Sequence, residues 1–312
     1  MQAVFGTAQL GYRSRLYLDV TARSDWSSAL VNTTNKAIFY PSVGLSGVIT
    51  DLLNIKSDFL PFLKARASYS EVGNAPQRFV TLPTYQLTNG YPQTFTSRPV
   101  DLKPERTKSY EAGLNFIFGK NKVKLDATVY QSSTFNQLFN PAVSTSSGVS
   151  SLYINAGQID NKGIEVSATL NQPLGPVNWT SGVVFSLNRN KIKQLLPSYT
   201  DTQSGEVVSL DSLNMGGTTS YRMILVTGGS MGDIYVNTLK TDEHGYIYVN
   251  STNLNVATDQ NRFVKAGNAN PRFNLGWRNG FSYKGIDLNV LVTARIGGVG
   301  VSTTQAIMDA YG

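Results

Sequence analysis

The sequence predicts an all-β chain arranged as an antiparallel transmembrane β-barrel segment of about ten strands, with short turns on one rim and long loops on the other. Three features predict it. Apolar and polar residues alternate with period two along many short runs. The links between those runs are short and long in turn. No stretch approaches the roughly 18 uninterrupted apolar residues of a membrane helix, which excludes a helical membrane protein, whereas a barrel wall needs apolar residues only at alternate positions.

Composition agrees with strands and turns. The chain of 312 residues carries 16 Tyr, 14 Phe and 28 Gly, a mixture that favours pleated surfaces and tight connections over helices. It has no cysteine, which excludes disulfides, thiolate metal sites and thiol nucleophiles. The single histidine, His244, excludes a multi-histidine metal centre. The net charge of +7 comes from scattered lysines and arginines with no basic run. A nucleic-acid partner is therefore not expected, and the charge reads as a solvated, lipopolysaccharide-facing or lumen-facing surface.

The alternation is explicit in four runs. Val123, Leu125, Ala127 and Val129 oppose Lys122, Lys124, Asp126, Thr128 and Tyr130. Tyr110, Ala112, Leu114, Phe116 and Phe118 oppose Glu111, Gly113, Asn115 and Ile117. Ile164, Val166, Ala168 and Leu170 oppose Glu165, Ser167, Thr169 and Asn171. Ile286, Leu288, Val290, Val292, Ala294 and Ile296 oppose Asp287, Asn289, Leu291, Thr293 and Arg295. Similar runs at 3–12, 15–25, 40–50, 62–72, 177–188 and 272–283 complete the set, most of them long enough to cross a bilayer, which takes roughly 9–11 tilted residues.

Alternation alone fits a soluble sandwich as well as a barrel. Connection lengths favour the barrel. Tight turns are expected at Arg13-Ser14, Gly119-Lys120-Asn121, Gln172–Pro176 and Lys284-Gly285, with polar segments at 26–38, 74–106, 136–157 and 189–270 and an intermediate link at 51–61. Tyr12, Tyr69, Tyr110, Phe118, Trp179, Trp277, Phe281 and Tyr283 fall near strand ends on the apolar side, as aromatic girdles at headgroup level do. Asn161-Lys162-Gly163 places turn residues inside a strand, a pattern consistent with a bulge. Gly44 and Gly47 remove side chains where a wall bends or another backbone approaches. Thr303–Tyr311 fits a turn or two of helix after the last strand.

No catalytic constellation emerges, so no catalytic, cofactor-binding or metal-ligating residue is expected and the chain does not read as an enzyme. His244 lies in Asp242-Glu243-His244-Gly245, a hairpin turn, and no G-x-S-x-G surrounds a serine. Asp242 and Glu243 lack the spacing of a calcium loop. The pairs at Gly216-Gly217, Gly228-Gly229 and Gly297-Gly298 lack the strand-to-helix setting of a phosphate cradle and read as loop hinges.

Several phrases resemble TonB-dependent outer-membrane transporters, above all the SusC/RagA-like branch found in Bacteroidetes-type bacteria. They are Phe39-Tyr40-Pro41-Ser42-Val43-Gly44-Leu45, Leu63-Lys64-Ala65-Arg66-Ala67-Ser68-Tyr69 with Val72-Gly73-Asn74, and Leu102-Lys103-Pro104-Glu105 leading to Tyr110-Glu111-Ala112-Gly113. Tyr153–Ile159 with Asn161–Glu165, Gly267–Pro271 and Ala294–Gly298 continue the series in family order over most of the chain. The resemblance implies a barrel that imports a nutrient, a glycan or a peptide, across the outer membrane. It implies TonB, a plug domain, a SusD-like surface lipoprotein and outer-membrane lipid as partners. Set against the family pattern, the signal peptide, plug, TonB-contact segment and closing aromatic strand are expected to lie outside this sequence, which leads from Met1 straight into the run Val4–Leu10 and stops at Ala310-Tyr311-Gly312. Residues 1–312 are thus expected to be the middle-to-late barrel of a longer chain.

Two residue sets follow. The polar face, with Glu111, Asn115, Lys124, Asp126, Glu165, Arg272 and Arg278, is expected to face the lumen and plug, either holding the plug or simply solvating the lumen. The long loops, with Tyr85, Tyr91, Phe95, Arg98 and Tyr153, offer rings and a guanidinium for sugar or peptide contact, or for packing between loops. The rival readings are a passive porin-like barrel or adhesin, and a soluble carbohydrate-binding β-sandwich.

Overall fold

The computed structural model describes residues 1–82, 84–99, 102–139, 152–200 and 207–311. In chain order the strands are β1 (Gln2–Tyr12), β2 (Leu16–Trp26), β3 (Ala37–Val48), β4 (Phe62–Asn74), β5 (Thr84–Thr88), β6 (Tyr91–Pro99), β7 (Glu105–Phe118), β8 (Val123–Phe139) and β9 (Leu152–Leu174). There follow β10 (Val177–Gln194), β11 (Leu196–Thr200), β12 (Val207–Leu210), β13 (Ser212–Gly217), β14 (Tyr221–Val226), β15 (Asp233–Leu239), β16 (Thr258–Asn268), β17 (Phe273–Tyr283) and β18 (Ile286–Ile296). A single 3-10 turn at Ser28–Leu30 and two short helices, α1 (Ile49–Leu52) and α2 (Thr303–Tyr311), complete the described elements. None of these helices is long and apolar enough to cross a membrane.

One antiparallel wall runs β1-β2-β3-β4-β7-β8-β9-β10-β17-β18, and its ten strands are the ten alternating runs of the sequence. The two stacked layers of a sandwich are not what these strands build. Register explains why the faces separate cleanly. Leu45 pairs with Ala67, Ala67 with Ala112, Ala112 with Val129, Val129 with Ile164 and Ile164 with Leu187. Because side chains alternate with period two, this alignment keeps every apolar set on one face of the wall. That face is left open: Leu114 is 41% exposed, Val129 52% and Val292 52%.

The connections sort as expected. Tyr12 pairs with Leu16, Leu174 with Val177 and Tyr283 with Ile286. Arg13 and Ser14 hold φ of 50° and 53°, and Lys284 and Gly285 hold 46° and 85°, the left-handed conformations that tight hairpins require. The opposite rim carries long insertions. Three wall strands rise into them further than the alternation suggested, with β8 at 17 residues, β9 at 23 and β10 at 18.

Three expectations are corrected, one in the insertions and two in the wall. The segment 189–270 is not merely loop: β13–β16 form their own four-stranded sheet, and β11 pairs with β12. Phe139, Ile159, Ile192, Leu195, Leu196 and Leu225 bury one another there, giving this rim a dry core that the wall lacks. No bulge interrupts Asn161-Lys162-Gly163, since pairing with both neighbours runs in constant register through these residues. Gly163 is small for another reason: a Cβ there would lie 2.3 Å from Tyr130 Cζ and 2.6 Å from the Leu187 carbonyl oxygen. At Gly47 the close neighbours are the side chains of Leu52 and Leu16, at 3.2 and 3.3 Å from a built Cβ, while Gly44 has only ordinary contacts. Elsewhere β7 begins at Glu105, directly after Pro104, and His244 lies in the turn between bridged Thr241 and Ile247.

Candidate functional site

The polar face of the wall is the site that the strands assemble. Strand register puts Glu111, Asn115, Lys124, Asp126, Glu165 and Arg278 on it, because Asn115 pairs with Asp126, Thr128 with Glu165 and Gly182 with Arg278. Arg272 precedes Asn274, which pairs with Ser186 on the same face.

At its centre lies a network organised by Arg66, a residue that the sequence did not single out. Arg66 Nη1 donates to Asp126 Oδ2 at 3.0 Å and Nη2 to Asp126 Oδ1 at 3.1 Å, a two-pronged fork. Nη1 also donates to Asn115 Oδ1 at 2.7 Å, and Nη2 donates to the Thr128 hydroxyl. Asn115 Nδ2 donates to the same carboxylate, and Glu111 Oε1 stands 3.7 Å from Arg66 Nε. Planar guanidinium and carboxylate groups match in this geometry, which fixes orientation as well as charge.

Gly113 makes the arrangement possible. A Cβ there would lie 2.6 Å from Arg66 Cζ, so only glycine lets the guanidinium lie flat across β7 toward β8. The partners Arg66 and Asp126 are 60 residues apart in sequence. They meet because β4 pairs with β7 across the intervening β5–β6 hairpin. Alternation assigns Arg66 to the polar face, but its partner becomes visible only once that register is known.

Beside the network lies a cleft of about 630 Å³ lined by Asp126, Glu165, Ser167, Ser186, Asn274 and Arg295, among others. Arg278 borders a smaller one of about 350 Å³ with Asp287 and Asn289, and it donates to Asn289 Oδ1 at 3.2 Å. A third, of about 600 Å³, includes Arg272, Arg189, Lys191 and Lys265 and opens where β10 and β17 part beyond the Ser186–Asn274 pair. Arg272 therefore sits apart from the Arg66 network. Lys124 is exposed and joins no described hydrogen bond or ion pair.

The loop residues divide differently. Tyr85 lies in β5 and Phe95 and Arg98 lie in β6, with side chains outside the described residues. Tyr91 is 75% exposed at the start of β6. Tyr153 is half-buried in β9, where Pro99 pairs with it in a parallel bridge. Asn155 ties the same region down: its Nδ2 donates to the Lys103 and Asn136 carbonyls at 2.7 and 2.8 Å. Thus the Arg98–Pro99 end of β6 and the start of β9 are brought together, and Tyr91, at the other end of β6, lies outside that pairing.

No cluster of three or more His, Cys, Asp or Glu side chains able to hold a metal ion occurs among the described residues.

An open, one-layer antiparallel wall, apolar on one face, polar on the other and short-turned on one rim, defines an outer-membrane β-barrel protein. The comparison with known families names the kind: residues 1–223 match the TonB dependent receptor-like, beta-barrel family, and the chain belongs to it. TonB-dependent receptor P3 of Formosa agariphila is 27% identical over 327 aligned positions, covering 95% of this chain and 32% of that protein. TonB-dependent receptor P26 of the same organism is 31% identical, covering 61% of this chain and 20% of that protein. Among solved structures, the RagAB peptide importer in its closed-closed state superposes with a TM-score of 0.73 at 20% identity, over 95% of this chain and 33% of that one. Its open-open state gives 0.74 at 18% identity. The chain therefore spans about a third of the length of these proteins.

Proposed function

We propose that residues 1–312 form part of the barrel of a SusC-like transporter that imports oligosaccharides or peptides across the outer membrane with energy delivered through TonB. The observation that carries this reading is the sorted wall itself, with its polar network at Arg66 and Asp126 on the face opposite the apolar one. A plug domain in the lumen would meet Glu111, Asn115, Lys124, Asp126, Glu165, Arg272 and Arg278. Polar contacts of this kind exchange readily with water, so they hold a plug and also let it shift. Tyr85, Tyr91, Phe95, Arg98 and Tyr153 would contact the ligand from the loop rim, where rings stack on sugars or peptides and a guanidinium pairs with acids. The protein acts as a carrier and not as an enzyme.

The plug and the TonB-contact segment belong, on this reading, to the same transporter outside residues 1–312. A SusD-like surface lipoprotein caps the loop rim. The likeness to the RagAB peptide importer favours a peptide cargo. The test is uptake of labelled oligopeptides and oligosaccharides by cells carrying the intact protein, with and without TonB. Loss of uptake on TonB deletion supports the proposal. Uptake that persists indicates a passive, porin-like barrel.

A further inference from the structure

We infer that the outward face of the wall carries a binding site for the phosphate of an outer-leaflet lipid headgroup, formed by Lys162, Arg189 and Lys191. The inference starts from register. Tyr69 pairs with Tyr110, Tyr110 with Gln131, Gln131 with Lys162 and Lys162 with Arg189. One step toward the short turns, the next row on the same face is Ala67, Ala112, Val129, Ile164 and Leu187. Lys162 and Arg189 are therefore the first polar residues past the apolar stripe on β9 and β10. They lie on the rim with long loops, which in such barrels faces the outside. Tyr69 and Tyr110, in the same row, have ring centroids 5.0 Å apart, as rings of an interfacial girdle do.

The charges in this place are unbalanced. Side chains directly opposite one another on antiparallel strands are about 5 Å apart at Cβ, and like charges so placed repel. Lys162 is exposed and joins no hydrogen bond or ion pair among the described residues. Arg189 Nη1 donates only to neutral carbonyls, Asn188 at 3.3 Å and Arg272 at 2.7 Å. Lys191 follows two residues on along the same face, opposite Asp160. That carboxylate already accepts from Gln158 Nε2 at 3.1 Å and stands 4.0 Å from Lys193 Nζ. Three cations thus share a patch whose neighbouring carboxylates are engaged by other groups: Asp160 by Gln158 and Lys193, and Asp233, in the cleft that Arg189 and Lys191 line, by Lys265 Nζ at 2.6 Å. A multiply charged anion at headgroup depth neutralises them, and a guanidinium held by two carbonyls presents its remaining donors to phosphate oxygens.

The experiment uses the intact protein in phosphatidylcholine nanodiscs containing either diphosphoryl lipid A or the same lipid without its phosphates. Bound lipid A is counted by native mass spectrometry. Retention of the diphosphoryl form, reduced about tenfold or more by removing its phosphates or by Lys162→Gln with Arg189→Gln, is the expected result. Inorganic phosphate should not displace it, because the acyl chains hold the headgroup at the site. Equal retention of both lipids overturns the inference on the unaltered protein, whatever the variant does to folding. Displacement by inorganic phosphate also overturns it, since the patch would then take any free anion. The heat-modifiable gel mobility of the variant shows whether its barrel is intact.

Discussion

The wall and the loop-rim module are built from the same residue types and end in opposite states. In the module, Ile192 is fully buried and Leu195 and Leu225 are each 2% exposed. In the wall, Leu114, Val129 and Ile164 lie open at 41–52%. Strand β9 passes through both, from Ile159 at 3% to Ile164 at 43%. What differs is the medium that the side chains are meant to meet. The module buries its apolar groups against protein, as a soluble domain does. The wall presents them to acyl chains and has no second layer. Girdle spacing fits this account. Phe118 and Tyr110 are eight positions apart on β7, about 26 Å along a strand at roughly 3.3 Å per residue, or about 20 Å across a bilayer at a tilt near 40°.

The contrast can be broken at several points. The largest effect is expected from Ile192→Ala, which opens a cavity in the module and should lower its stability by about 2–5 kcal/mol. Limited proteolysis of 195–270 reads this loss, which should be the same in detergent and in lipid. Next is Leu114→Arg on the apolar face. A cation there should destabilise the barrel by about 2–4 kcal/mol near the midplane, measured by urea unfolding in vesicles, with the module undisturbed. A module that melts along with the wall would show that the two are one cooperative unit.

Smaller effects are expected on the polar face. The side chains of Arg66 and Asp126 are 29% and 39% exposed, so solvent screens the pair, and Arg66→Met should lower stability by only about 1 kcal/mol. Its clearer signature lies in transport, since uptake should fall more than stability does. Gly113→Ala is gentler in chemistry but pushes the guanidinium aside, and it should reproduce part of the Arg66→Met phenotype. If Gly113→Ala leaves uptake unchanged while Arg66→Met abolishes it, the flat placement over Gly113 is dispensable.

Much of the wall was legible in the sequence because period two is the only signal a one-layer wall needs. The runs at 110–118, 122–130 and 164–171 fix their faces, and the tight turn at Gly119-Lys120-Asn121 makes the first two neighbours. Rim sorting could be read from turn residues such as Lys284-Gly285. The module was not legible. Its strands β11 to β16 are mostly four to seven residues long, too short for alternation to stand out from polar loop, and their burial depends on packing against β9 and β10. The polar site was half legible. Asp126 and Asn115 lie in strong alternating runs. The Arg66 partnership depends on β4 reaching β7 past an insertion, which no local pattern encodes. At Asn161-Lys162-Gly163 the sequence misled, because Gly163 answers to the bulk of Tyr130 rather than to a turn.

The most direct test of the wall's medium uses the absence of cysteine from the chain. Single labels at Ile164→Cys and Glu165→Cys, adjacent on β9 and both exposed, are compared in vesicles of brominated lipid. The account predicts strong quenching by brominated acyl chains at 164 and little at 165, where a water-soluble quencher should act instead. Equal response at both positions, or shielding of 164 from lipid, would contradict it.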